Sequence, residues 1–212
     1  MTDYEIMHFV LGSVMTNCYV VINRDTRDCV VIDPGGSGAA IADRIKEAGY
    51  KPVAILTTHG HFDHWDGVAA LKASFDYDIP SYIHEADRDT LSDSMLNVST
   101  VFGVGNRTYK ADRFLKDDEV LQLAGFEIRV IFTPGHTRGG CCYYFPDEGL
   151  LFSGDTLFCQ SVGRTDMPGG SMSQLVASVR DKLFVLPDDT KVFPGHNETT
   201  TIGFEKENNY YV

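Results

Sequence analysis

The chain has 212 residues, 43 % of them apolar and 23 % charged, with a formal net charge of −12. These values describe one globular domain, residues 1–212, long enough to bury a large core. The negative balance disfavours contact with a phosphate backbone, so no nucleic-acid partner is expected. The longest apolar runs are strand-sized, which argues against a membrane span. The opening Met1-Thr2-Asp3-Tyr4-Glu5 carries no basic and apolar leader. Cys18, Cys29, Cys141, Cys142 and Cys159 are odd in number and lack zinc-ribbon spacing, so they read as reduced interior thiols of a cytoplasmic protein.

The first thirty residues predict strands. Glu5–Val10, Cys18–Ile22 and Cys29–Ile32 are β-branched and aromatic runs separated by Gly12-Ser13 and Asn23-Arg24-Asp25. Asp33-Pro34-Gly35-Gly36 closes the third, and Ser37 is placed to cap a helix carrying Ile41, Ile45 and Ala48, with Gly49 as its stop. The run Val53–Leu56 predicts a strand, followed by a short helix through Val68, Leu71 and Lys72. Ile79–His84 predicts another strand and Glu85–Leu91 a helix. His8, inside the first strand, is expected to be a partly buried structural residue. The segment 97–116 has no clear periodicity, as in lids and substrate loops. A hairpin over Val120–Thr133 turns at Ala124-Gly125, and strands follow at Cys141–Phe145 and Leu150–Ser153. Ser171–Leu186 is helical by its Leu175, Val179 and Leu183 spacing, Lys191–Phe193 is the last strand, and Thr201–Asn208 a terminal helix. Hairpin groups of strands broken by helices imply an α/β fold with mixed sheets.

One stretch stands apart from this packing pattern. Thr57-Thr58-His59-Gly60-His61-Phe62-Asp63-His64 places three imidazoles and a carboxylate within six residues, directly after an apolar strand. Packing does not reward such a cluster, whereas zinc, iron or manganese would, since imidazole and carboxylate are their ligand types. Three more strand ends repeat the arrangement. Phe132-Thr133-Pro134-Gly135 delivers His136, Phe152-Ser153-Gly154 delivers Asp155, and Phe193-Pro194-Gly195 delivers His196. Glycine before the donor permits a sharp turn and the close approach of another group. Seven donors exceed the four that one zinc takes, and suit two ions sharing a carboxylate. The chemistry natural to that pair is hydrolysis. His84, at a strand end, is a further candidate for a supporting or substrate contact.

With these motifs the chain resembles the metallo-β-lactamase-fold hydrolases, and within them the short branch related to glyoxalase II (hydroxyacylglutathione hydrolase), which lacks the C-terminal helical domain of the longer enzymes. The resemblance rests on Thr58–His64, Thr133-Pro134-Gly135-His136-Thr137, Leu151–Leu157 and Pro194-Gly195-His196, and runs from Asn17 to Asn209. It implies a four-layer αβ/βα sandwich of two mixed β-sheets flanked by helices. It implies two divalent ions per chain, zinc before iron or manganese. His59, His61 and His136 would hold the first, Asp63, His64 and His196 the second, and Asp155 would bridge them. The implied activity is hydrolysis of a small-molecule thioester, S-lactoylglutathione or another acyl-thiol, by a hydroxide generated at the ions, with Asp63 orienting it. A related alternative is a persulfide dioxygenase-type oxidoreductase using one iron on His59, His136 and Asp155; others are lactone, β-lactam or phosphodiester hydrolysis. Ser161-Val162-Gly163-Arg164-Thr165-Asp166 also matches the short branch: Arg164 either reads an anionic substrate or pairs with Asp166 to brace the loop. Asn197-Glu198 departs from the small residue expected after the last histidine, at the cleft wall.

Overall fold

The computed structural model describes residues 2–212. Its first sheet takes its strands in sequence order: β1 (Tyr4–Leu11), β2 (Thr16–Asn23), β3 (Asp28–Ile32), β4 (Lys51–Leu56), β5 (Ser81–His84) and β6 (Arg113–Leu115). The first two junctions are antiparallel and the next three parallel. The second sheet begins with β7 (Val120–Leu123), β8 (Phe126–Phe132), β9 (Cys141–Phe145) and β10 (Leu150–Gly154). After a short ribbon, β11 (Leu157–Phe158) and β12 (Ser161–Val162), it is completed by β13 (Lys191–Pro194) and β14 (Thr200–Thr201). Its order is β14-β13-β10-β9-β8-β7, with β10 and β13 parallel and the other pairs antiparallel.

Alternation along the strands explains the layering. On β2, Cys18, Val20 and Ile22 point into an outer core with α1 (Gly38–Glu47) and α2 (Val68–Ala73), while Tyr19 and Val21 point into the core between the sheets. On β9 the same period sends Cys141, Tyr143 and Phe145 to the central core and Cys142 and Tyr144 to the opposite outer core. After α3 (Arg88–Ser92), the remaining helices are α4 (Met172–Ser178) and α5 (Ile202–Asn208), whose Leu175 and Ile202 fill that outer core. Both faces of each sheet are covered, so the central strands read as continuous apolar runs. Three cores between four layers give the αβ/βα sandwich. All five cysteines are free, four of them buried among apolar neighbours.

Several local expectations change. Ser37 makes no side-chain capping bond, because it sits in the left-handed region at φ 50° and its hydroxyl does not reach the first turn. Ser171 does cap, accepting from the Gln174 amide at 3.5 Å, but its helix widens into a π-turn at Val179–Leu183. His8 is exposed rather than partly buried. Its strand lies at the sheet edge, where the ring stacks on Tyr19 with centroids 5.0 Å apart. Among the described residues no helix is long and apolar enough to cross a membrane.

Candidate metal centre

The parallel strands and the Gly-Asp, Gly-His and His-Gly-His turns after them bring the seven predicted donors to one edge of the sandwich. Three overlapping groups form: His59, His61 and His136; His59, His64 and Asp155; Asp63, His64 and His196. Asp155 faces both halves. Its Oδ1 lies 3.4 Å from His64 Nε2, and its Oδ2 lies 3.4 Å from His136 Nε2 and 3.5 Å from His196 Nε2. Asp63 Oδ2 lies 3.4 Å from His64 Nε2 and 3.5 Å from His196 Nε2. Donors about 2.0–2.1 Å from a tetrahedral zinc stand roughly 3.3–3.4 Å apart. The observed spacings are therefore those of donors around a shared ion.

The hydrogen-bond account agrees. His59 Nε2, His61 Nε2, His64 Nε2 and Asp155 Oδ1 are buried and have no hydrogen-bond partner. Buried polar atoms left unpaired are costly; those of His59, His64 and Asp155 belong to one donor group and fit a cation, while His61 turns its Nδ1 to His136 Nε2 at 2.9 Å. Burial, then the neighbouring imidazoles, push His59 and His61 well below the usual histidine range, so they are neutral donors. For His64, burial works against the charge, but Asp63, Asp33 and Asp155 outweigh it and raise the group to about 10. For Asp63, burial is outweighed by His64, His196 and Thr16, which hold the carboxyl well below the usual carboxylate range. An ion entering the Asp63 half therefore displaces a proton from His64.

Close backbone approach makes the convergence possible. A Cβ on Gly195 would lie 2.3 Å from Asp155 Oδ1, and one on Gly154, at φ 49°, would lie 2.3 Å from Thr58 Oγ1. These are the glycines that the sequence places directly before His196 and Asp155.

A ring of supporting residues aims the donors, and single-sequence reading overlooks most of it. Asp33 accepts from the Thr58 amide and hydroxyl at 2.7 Å each and faces His64 Nδ1 at 2.9 Å, which leaves Nε2 turned to the centre. His136 Nδ1 donates to the Arg164 carbonyl at 2.6 Å, with the same consequence for its Nε2. Thr16 donates to Asp63 Oδ2 at 2.6 Å. Asn17 donates from its amide side chain to the carbonyls of Pro194 and Asn197 at 3.0 and 2.9 Å, bracketing His196.

Asp87 accepts the most hydrogen bonds of these supports. Its Oδ2 accepts from the Gly60 amide at 2.8 Å and the Thr137 hydroxyl at 2.7 Å, and its Oδ1 from the Gly139 amide and Thr90 hydroxyl at 2.9 Å. Gly60 separates His59 from His61, and Thr137 follows His136. One carboxylate thus ties together the turns that carry the first group of three histidines.

The two substrate candidates separate. Arg164 lines the cleft beside the centre but forms a two-bond pair with Asp166, at 2.7 and 2.8 Å. His84 does not line it; its ring stacks on Phe132 at 4.2 Å and its Nδ1 accepts from the Ala86 amide at 3.3 Å. It holds the turn that leads to Asp87. Asn197, in the left-handed region at φ 64°, contributes to the cleft wall beside His196.

A sandwich of two mixed sheets with imidazoles and carboxylates gathered at one edge defines a metal-centre α/β hydrolase scaffold. The chain belongs to the metallo-beta-lactamase superfamily, whose family model matches residues 11–196. It is 37 % identical over 95 % of its length to a probable metallo-hydrolase, YqgX, of Bacillus subtilis, covering 94 % of that protein. It is 35 % identical to the hydroxyacylglutathione hydrolase GloC of Haemophilus influenzae, with 92 % of each chain covered. Among solved structures it is similar to BLEG-1, described as a B3 metallo-beta-lactamase, at 40 % identity and TM-score 0.92, covering 98 % of this chain and 99 % of that one. It is also similar to a di-iron-bound form of TTHA1623, at 34 % identity and TM-score 0.85, covering 97 % and 100 % of the two chains.

Proposed function

We propose that this protein is a binuclear metal-dependent hydrolase of small-molecule acyl thioesters. The observation that carries the reading is the pair of donor groups sharing Asp155, with Nε2 atoms of both groups within 3.5 Å of its carboxylate. His59, His61 and His136 would hold one ion, Asp63, His64 and His196 the other, and Asp155 would serve both. Zinc is the first candidate by donor type, with iron close behind because a 34 % identical structure is described as di-iron-bound. Two divalent ions bound there would lower the pKa of a bound water to about 7 and would supply a Lewis acid for the carbonyl oxygen.

The chain's own residues then supply orientation. Asp63 is ionised and fixed by the Thr16 hydroxyl, so it presents an acceptor that can orient the attacking water. The paired Arg164 and Asp166 brace the loop whose carbonyl fixes His136. Thioester hydrolysis asks for little more, because a thiolate departs without a strong general acid. Support for the thioester comes from GloC, a relative named for hydroxyacylglutathione hydrolysis. A second reading, β-lactam hydrolysis, is favoured by the 40 % identity to BLEG-1.

A panel of S-lactoylglutathione, a simple acyl thioester, a lactone and a β-lactam separates these readings on protein of known metal content. The thioesters are expected to be turned over with kcat/KM at least about a hundredfold above the β-lactam, within the usual enzyme range of about 10⁴–10⁸ M⁻¹s⁻¹. A β-lactam preferred over every thioester would overturn the assignment.

A further inference from the structure

The cleft above the centre has a volume of about 410 Å³; the candidate donors and other polar residues line part of it, and Phe62, Val98, Phe102, Phe158, Val162 and Met167 make an apolar part of its wall. Two features mark this apolar lining as more than spare core. First, Phe102 stands 44 % exposed at the mouth, with Val101 at 49 % and Val104 at 37 % beside it in the chain. The turn that carries them is tied down at its base. The Asn97 carbonyl accepts from the Phe62 amide at 3.0 Å, the Asn97 side chain donates to the Arg107 carbonyl at 2.8 Å, and the Val104 amide donates to the Ser99 carbonyl at 3.0 Å. Apolar side chains are thus held against the cleft by hydrogen bonds. Exposed apolar clusters at a cleft mark a binding surface. Second, Val98, a β-branched residue, is in the left-handed region at φ 59° and reaches the cleft wall from there. Such strain collects at ligand-binding sites.

Charge points the same way. Among the described residues, Arg164 is the one lysine or arginine in the cleft lining, and two of its donors are bonded to Asp166. The lining thus offers no unpaired lysine or arginine to an anionic group, whereas Phe62 and Phe102, packed on each other with ring centroids 5.9 Å apart, offer an apolar wall.

Building on the thioester reading, we propose that the cleft selects its substrate by an apolar acyl group, aliphatic or aromatic, received among Phe62, Val98 and Phe102. The anionic or polar thiol carrier is left at the mouth. In the balanced reaction, water oxygen bonds to the acyl carbon and the C–S bond breaks with its electron pair on sulfur. The products are a carboxylate, a free thiol and one proton.

The test holds the thiol constant. Acetyl, lactoyl, butyryl, hexanoyl and benzoyl thioesters of N-acetylcysteamine are compared by kcat/KM on the metal-loaded chain. Burial of each CH₂ is expected to raise kcat/KM about fourfold, so butyryl exceeds acetyl by about tenfold or more. Phe102→Ala is expected to reduce the hexanoyl-to-acetyl ratio by about tenfold. In parallel, calorimetry on the metal-free chain is expected to find hexanamide binding more tightly than acetamide, with the difference reduced in Phe102→Ala. A flat or falling series, lactoyl above butyryl, or an unchanged ratio in Phe102→Ala would overturn the proposal while leaving thioester hydrolysis intact. Failure to hydrolyse any thioester would instead overturn the underlying reading. The amide-binding arm then decides the apolar wall by itself, equal affinity for the two amides counting against it.

Discussion

Asp155→Ala is expected to lose its bound ions and its turnover together. The carboxylate is the one donor whose two oxygens face the Nε2 atoms of both halves, at 3.4 to 3.5 Å. Loss of an outer hydrogen-bond partner from a metal site typically costs about 10–100-fold in affinity or activity. On the two-ion reading, loss of the shared carboxylate would remove a direct donor from both ions and a negative charge from a cluster of five imidazoles, so the expected effect exceeds that range for each ion. Metal quantification after desalting, with kcat/KM on the same sample, reads both quantities. Thermal melting of the metal-free variant is expected to stay close to that of the metal-free parent, because Asp155 Oδ1 makes no hydrogen bond that the fold would lose. A variant that kept both ions and full turnover would refute the shared role of Asp155.

Asp87→Ala is expected to damage the fold and the first ion's affinity at once. The substitution strips the acceptor from two buried backbone amides, Gly60 and Gly139, and from the hydroxyls of Thr90 and Thr137. Each buried donor left unpaired costs about 1–3 kcal/mol, so the two amides alone give about 2–6 kcal/mol. That is a large share of a typical domain's stability of about 5–15 kcal/mol. Asp87→Asn does not repair the loss. Each oxygen of the aspartate accepts one amide, so an asparagine NH₂ meets a backbone N–H in either orientation. Both variants are expected to unfold at lower denaturant without metal and, where folded, to bind the first ion about 10–100-fold more weakly. Parental stability and affinity in Asp87→Asn would show that the clamp is dispensable.

Asp87 also marks where sequence reading stops. The seven donors were legible because His136, Asp155 and His196 each follow an apolar run and a glycine, and because His59–His64 is too dense in ligand types for packing to explain. Asp33 and Asp87 carry no such pattern. Asp33 directly follows a strand and Asp87 sits among other charged residues at a helix start, and the importance of each comes from partners distant in sequence, such as Asp87 with Gly139 or Asp33 with His64. The mixed sheets were legible from hairpin groups of strands broken by helices, whereas the four layers came with the family resemblance, because strands such as β2 and β9 are buried on both faces and show no alternation. Strands β6, β11, β12 and β14 were not legible, because two or three residues are too few to show a period. The 97–116 segment lacks periodicity, and apart from β6 it is turns up to Val104 and irregular chain after it. Its contribution to the cleft depends on where Val98 and Phe102 end up, which local pattern does not encode.

The central claim is that one chain holds two ions across a shared carboxylate. Metal quantification on protein purified without added metal tests it most directly, with oxygen uptake on glutathione persulfide followed in the same preparation. The account predicts about two divalent ions per chain and no oxygen consumption. One iron per chain with persulfide-dependent oxygen uptake would contradict it.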